Sequence, residues 1–195
     1  MFGGTFDPVH HGHLIIAQAA IEAAGLDSLV FVPSARPPHK SKDGIMFSAK
    51  DRFQMLSLAL LDNRNCTVSD IEMNRKGPSY TIDTIREFKS GLPSDIELFF
   101  LMGMDNLYEV ESWKDPLNII TECIILAADR TCDKGHATPD WMQGRVQRVH
   151  TPVIEISSSD IRRRLREGKS IRYLVPEAVS GMIERIMQSQ PVKSR

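Results

Sequence analysis

The sequence predicts an α/β fold, a Rossmann-like doubly wound, mainly parallel sheet with helices on both faces. Short apolar runs alternate with helix-patterned segments along most of the chain, the order of βαβ units with right-handed crossovers. The apolar runs are continuous, as strands covered on both faces require. The chain has 195 residues, 42% of them hydrophobic, enough to bury a core as one domain without a disulfide or metal staple. With no internal repeat or composition break, residues 1–195 are expected to form a single domain, about 158–190 being a C-terminal helical part.

The elements follow in order. Leu14 to Ala24 is predicted helical, closed by Gly25 as a left-handed cap. Leu29 to Val32 is a buried strand. Ser34 to Phe47 is a long polar loop carrying Pro37, Pro38 and two lysines, a length often used for binding. Ser48 and Asp51 make a capping pair for a helix to about Leu61. Val68 to Met73 is the next strand. Ser79 is expected to cap a helix whose Ile82, Ile85 and Phe88 share a face. Ile96 to Met102, Cys123 to Ala128 and Val153 to Ile156 are three more strands, and Phe53 and Phe88 are assigned to the core. Ser158 to Gln188 reads as helices broken at Gly168 and Pro176.

Composition excludes several classes. The net charge is −1, from 24 Lys+Arg and 25 Asp+Glu, which argues against a protein that coats nucleic acid. No apolar run approaches ~18 residues, so no membrane partner is expected. The three cysteines lack C-x-x-C spacing. Cys66 and Cys123 sit in apolar runs as small hydrophobes, a pattern that suits a reducing cytoplasm. Cys132 has no helper group nearby for nucleophilic work.

In such sheets ligands bind beyond the carboxyl ends of the strands, so the residues after the strands carry the chemistry. The first segment is Gly3-Gly4-Thr5-Phe6-Asp7-Pro8-Val9-His10-His11-Gly12-His13. Its glycines allow a sharp turn and close approach to a ligand. His10 and His13 share one face of a helix start, and that helix end adds N–H donors and a positive dipole. Together these suit a polyanion such as a triphosphate. The segment is neither a Walker loop nor a dinucleotide fingerprint. Three histidines in four residues also allow a metal reading, although no Cys, Asp or Glu lies at ligand spacing on this helix. Asp7 is expected to order the turn through backbone hydrogen bonds. The second segment, Ile156-Ser157-Ser158-Ser159-Asp160-Ile161-Arg162, opens a helix with hydroxyls and N–H groups. Arg162 there would add a fork donor to the same anion, and an ordinary serine cap is the plainer alternative.

Taken together, the two segments resemble the nucleotidyltransferases of the H-x-G-H family, which carry a G-[GS]-[TS]-F-D-P-x-H-x-G-H start and an I-S-[ST]-[ST]-x-[IV]-R end. Ser159 stands where threonine is common and keeps the hydroxyl. Pro37-Pro38-His39-Lys40, Pro78-Ser79-Tyr80-Thr81-Ile82-Asp83-Thr84 and Gly103-Met104-Asp105 with Trp113 narrow the resemblance. It is to the bacterial members that adenylylate nicotinate mononucleotide, rather than phosphopantetheine or glycerol phosphate enzymes.

The resemblance implies AMP transfer from ATP to nicotinate mononucleotide, giving nicotinate adenine dinucleotide and pyrophosphate in NAD biosynthesis. His10, His13, Lys40 and Arg162 would be the catalytic groups. Gly4, Thr5, Phe6, Gly103, Asp105, Ile156, Ser157 and Ser158 would complete the ATP site, Asp105 near the ribose. Thr5, Lys40, Tyr80, Thr81 and Trp113 would hold nicotinate mononucleotide. No arginine stands out as partner of the nicotinate carboxylate; Thr81 and helix-start N–H groups would suffice. Packing is the alternative for Tyr80 and Trp113. Mg²⁺ is expected to arrive on ATP, with no metal site of the protein's own. Oligomeric state and the degree of acid-over-amide preference stay open, and a sensor without turnover is the competing reading. Lastly, only Met1 and Phe2 precede Gly3, against ~5–6 residues in a typical strand. The first strand is therefore expected to be truncated, and the native protein's intact mass should exceed that of these 195 residues.

Overall fold

A computed structural model describes residues 1–38, 44–129 and 140–189. Its six strands are β1 (Phe2–Gly4), β2 (Leu29–Pro33), β3 (Cys66–Val68), β4 (Phe99–Gly103), β5 (Ile124–Asp129) and β6 (Val146–His150). The helices are α1 (His11–Ala24), α2 (Ala49–Ala59), α3 (Thr81–Ser90), α4 (Met104–Glu109), α5 (Pro116–Glu122), α6 (Ser158–Arg166) and α7 (Glu177–Ser189). The sheet order is β3-β2-β1-β4-β5-β6, and every neighbouring pair is parallel. The chain winds outward from β1 in one direction and then from β4 in the other, so the order reverses between these two central strands. β1 spans three residues, and beside it the Met1 ammonium donates to the Phe99 carbonyl at 2.7 Å while the Leu101 N–H donates to Met1 O at 2.8 Å.

Alternation along the strands divides the core in two. Leu101, Leu126 and Ala128 face one side with Ile16 and Ile21 of α1, Met55 and Leu56 of α2, Ile161 of α6 and Ile183 of α7. Phe100, Met102, Ile125 and Ala127 face the other with Ile82 and Ile85 of α3, Leu107 of α4 and Ile119 of α5. This is the doubly wound arrangement the strand pattern predicts. Gly25 closes α1 in the left-handed region at φ 59°, and Ser48 caps α2 by accepting from the Asp51 N–H at 3.1 Å. Among the described residues no helix is long and apolar enough to cross a membrane.

Four local expectations are corrected. Val68–Met73 is not a strand: β3 ends at Val68, and the next residues turn, the Met73 N–H donating to Asp70 O at 2.7 Å. The Ser69 hydroxyl accepts from the Ile71 N–H at 3.3 Å, a local bond that competes with strand pairing. Val153–Ile156 is not a strand either. Ile125 to Asp129 of β5 already pair with Val146 to His150, so Val153 has no strand to pair with and stays 59% exposed. Ser79 does not cap α3; Tyr80 holds that position, while the Ser79 hydroxyl accepts from the Arg36 N–H at 3.1 Å. Phe88 packs against the second core, but Phe53 is only half-buried.

Cys66 and Cys123 are buried thiols. Burial raises the Cys66 thiol above its ordinary value and pushes Cys123 up to about 12. The thiolate is the reactive form, so both should resist iodoacetamide in native protein at pH 8 and react in urea. Peptide mass mapping checks this; Cys132 lies outside the described residues.

Candidate active site

A cleft of about 490 Å³ opens beyond the carboxyl ends of β1 and β4, where the sheet order reverses and ligands bind in open α/β sheets. Gly4, Thr5, Phe6, His13 and Ser158 border it on the side of α1 and α6. Gly103, Asp105, Tyr80, Thr81 and Trp113 border the opposite side. Two segments far apart in the sequence thus share one site with the helix starts that follow β3 and β4.

The floor is built by close packing. Phe6 has φ 49°, in the left-handed region, which is costly for a bulky residue. Its ring lies edge-on to Phe2 at 5.3 Å and to His13 at 4.9 Å. A Cβ on Gly4 would come within 2.9 Å of that ring, so only glycine fits beneath the turn. His10 is buried and caps α1. Its ring stacks on His13 with centroids 3.6 Å apart. The His10 main-chain N–H donates to His13 Nδ1 at 3.2 Å. A neutral imidazole that accepts at Nδ1 carries its proton on Nε2. His13 therefore presents a donor at the ring edge away from its own backbone, at the start of α1, where the His11 N–H is already taken by Leu174 O at 3.0 Å and the His13 N–H by His10 O at 2.9 Å.

Behind the floor lies a buried ionic network that the linear sequence does not announce. The Asp7 carboxylate, 1% exposed, accepts from the Met46 N–H at 2.8 Å and the Phe47 N–H at 2.9 Å. The turn residue thus orders the far end of the 34–47 loop instead of its own turn. Arg162 donates to the Asp7 carbonyl at 2.9 Å and to the Ser159 hydroxyl at 3.1 Å, and its Nε lies 3.7 Å from the Asp7 carboxylate. Arg52, also 1% exposed, donates to Thr5 O at 2.6 Å and Phe47 O at 3.2 Å. Burial pulls the Arg52 guanidinium below its ordinary value, and the Asp7, Glu72 and Asp51 carboxylates oppose that shift. The start of the loop is held separately: the Ala35 N–H donates to Glu72 Oε2 at 3.3 Å, and Thr84 Oγ1 donates to Glu72 Oε1 at 2.7 Å.

Most of the residues picked from sequence converge on this cleft. His10 lies directly beneath it, stacked on His13. Ile156, Ser157 and Arg162 sit just behind. Ile156 packs against the first core, Ser157 caps α6 by accepting from the Asp160 N–H at 3.1 Å, and Arg162 is turned to Asp7. Ser158 donates to Pro8 O at 3.0 Å. Lys40 lies outside the described residues. Sequence reasoning missed Arg52, Glu72 and Lys114. A single arginine on an amphipathic helix reads as solvated, so nothing local marked Arg52, whereas the place of Lys114 beside Trp113 was a usable signal.

The cytidylyltransferase-like family model matches residues 1–164. A Shouchella clausii protein named "Probable nicotinate-nucleotide adenylyltransferase" is 45% identical over 184 residues, which span 94% of this chain and 92% of the relative. A Moorella thermoacetica protein of the same name is 40% identical over 190 residues, spanning 94% of this chain and 87% of the relative. Among solved structures, Plasmodium falciparum nicotinic acid mononucleotide adenylyltransferase complexed with NaAD superposes with a TM-score of 0.76, covering 95% of this chain and 93% of that one. At 18% identity that likeness bears on the fold alone.

Removing Arg52 would empty a buried space and strip Thr5 O and Phe47 O of their donor. Arg52→Ala should destabilise the fold by about 3–5 kcal/mol, the scale of two hydrogen bonds from a charged donor to buried carbonyls, measured as the urea midpoint at constant slope.

Proposed function

The chain belongs to the cytidylyltransferase-like family and, within it, to the nicotinate-nucleotide adenylyltransferases, and from there we propose how its cleft carries out the transfer. The reaction moves AMP from ATP to nicotinate mononucleotide and yields nicotinate adenine dinucleotide and pyrophosphate, a step of NAD biosynthesis. A phosphate oxygen of nicotinate mononucleotide attacks the ATP α-phosphorus in line. The bond from the α-phosphorus to the bridging oxygen breaks, and pyrophosphate leaves with the electron pair. The attacking monoester is already ionised, so the protein needs neither a nucleophile nor a base. Its work is to hold two anions in line and to neutralise the charge that builds between them.

One observation carries this reading: the His13 donor, its tautomer set by the His10 N–H, borders a cleft at the switch point of the sheet. In the proposal His13 Nε2 donates to a phosphate oxygen, and His10 sets its position from beneath. The main chain of Gly4, Thr5 and Phe6 adds N–H donors, the His11 and His13 N–H groups of α1 being already bonded to Leu174 O and His10 O. Gly103 and Asp105 take the adenosine, with Asp105 at the ribose. Tyr80, Thr81 and Trp113 take the nicotinate end. Ser157, Ser158 and Arg162 hold the second motif against the first, and Lys40 is proposed to reach the phosphates from its loop. Mg²⁺ comes in on ATP, bound mainly by phosphate oxygens and water as a small hard ion prefers.

Pyrophosphate release from Mg·ATP tests the proposal, with nicotinate mononucleotide, nicotinamide mononucleotide and phosphopantetheine as acceptors. The acid nucleotide should be fastest; ATP binding without pyrophosphate release would point to a sensor. His13→Ala should lower kcat by about 10²–10³ with the circular dichroism spectrum unchanged. Near-normal turnover in that variant would remove His13 from the mechanism.

A further inference from the structure

Resting on that reading, we infer that Lys114 is the cation that selects the acid over the amide, giving up its contact with Asp83 to meet the nicotinate carboxylate. Lys114 is the one Lys or Arg among the described residues bordering the cleft, and the same border carries Asp105 and Glu109, while Asp7 and Glu72 are buried with their carboxylates already partnered. An anionic ring entering such a cleft meets the like charge of Asp105 and Glu109, so the place of Lys114 decides where its carboxylate settles on this wall.

That place is the wall opposite His13. Lys114 follows Trp113, and its Nζ lies 4.9 Å from the centroid of the Tyr80 ring. Tyr80, Thr81 and Trp113 border the cleft beside it. His13 and Ser158 belong to α1 and α6 on the other face of the sheet. A substrate with a phosphate at one end and a carboxylate at the other is thus addressed from both walls.

The ion pair is arranged so that it can exchange. Nζ lies 2.9 and 3.1 Å from the two Asp83 oxygens. Lys114 borders the cleft and Asp83 does not, so the positive end of the pair faces the substrate. An ammonium has three donors and a flexible stem, and two oxygens of one carboxylate do not use all three. The Lys114 side chain is 43% exposed, and pairs this open hold little stability against exchange. A nicotinamide offers no charge in return: its carbonyl can accept from the ammonium only as a neutral group, a weaker bond than a carboxylate makes.

Steady-state kinetics on both nucleotides test this with Lys114→Gln, Lys114→Arg and Asp83→Asn. Lys114→Gln should raise KM for the acid about tenfold, the size of one charge-assisted hydrogen bond in a partly exposed site, with kcat and the KM for the amide nearly unchanged. Lys114→Arg should keep the preference. Asp83→Asn should act in the opposite sense and lower KM for the acid, because the competing carboxylate is gone. If Lys114→Gln and Asp83→Asn instead raise KM for both substrates alike, or the acid-to-amide ratio of kcat/KM does not move, the pair only braces the wall and the inference falls. A wild-type enzyme that releases no pyrophosphate with nicotinate mononucleotide would overturn the functional reading as well, whereas an active one with an unmoved ratio overturns Lys114 alone.

Discussion

A carboxylate taken out of water must find partners or lose its charge, and Asp7 finds them in two separate parts of the chain. Two backbone N–H groups close the 34–47 loop onto it, and Arg162 reaches it from α6. Arg52 extends the network to the carbonyls of Thr5 and Phe47. The turn after β1, the loop before α2 and the start of α6 are therefore one unit, although Ser158 and Pro8, which also bond there, are 150 residues apart. The position of His13 follows from this unit, because α1 begins where the tethered turn ends.

The division of labour at the site follows the two faces of the sheet. On one face His13 supplies a neutral donor, which suits a phosphate oxygen. On the other, Tyr80, Thr81, Trp113 and Lys114 supply aromatic surface and one cation, which suit a flat charged ring. Among the described residues Lys114 is the one Lys or Arg that borders the cleft, and the buried Asp7 and Arg52 are spent behind it on backbone groups and Arg162. This arrangement fits a transfer in which the substrates carry the reacting groups and the protein supplies alignment.

Much of the fold was legible because it rests on local rules. Continuous apolar runs marked β2, β4 and β5, Gly25 and Ser48 marked helix ends, and the alternation of elements marked the parallel sheet. The site was legible where chemistry and spacing coincide, as at His10 and His13. Apart from Val68–Met73, which a local Ser69 bond turns, the misses have a common cause. β6 reads V-Q-R-V-H because it is an edge strand with one buried residue, Val149. Val153–Ile156 looks more like a strand, yet β5 is already paired. Ser79 looks like a cap, yet its hydroxyl is taken by Arg36. In each case a neighbour distant in sequence decided the outcome.

The sequence by itself determined the class of fold, the family and the two motifs that meet at the cleft, since each depends on residue type and short spacing. Only the tertiary structure decided that Arg162 serves Asp7 and that a solvent-patterned Arg52 is buried beneath the site. It also decided that Lys114, unmarked by any motif, is the charge at the far wall. The physical reason is that a charged side chain takes its role from what lies within a few ångströms of it, and those neighbours are chosen by the fold.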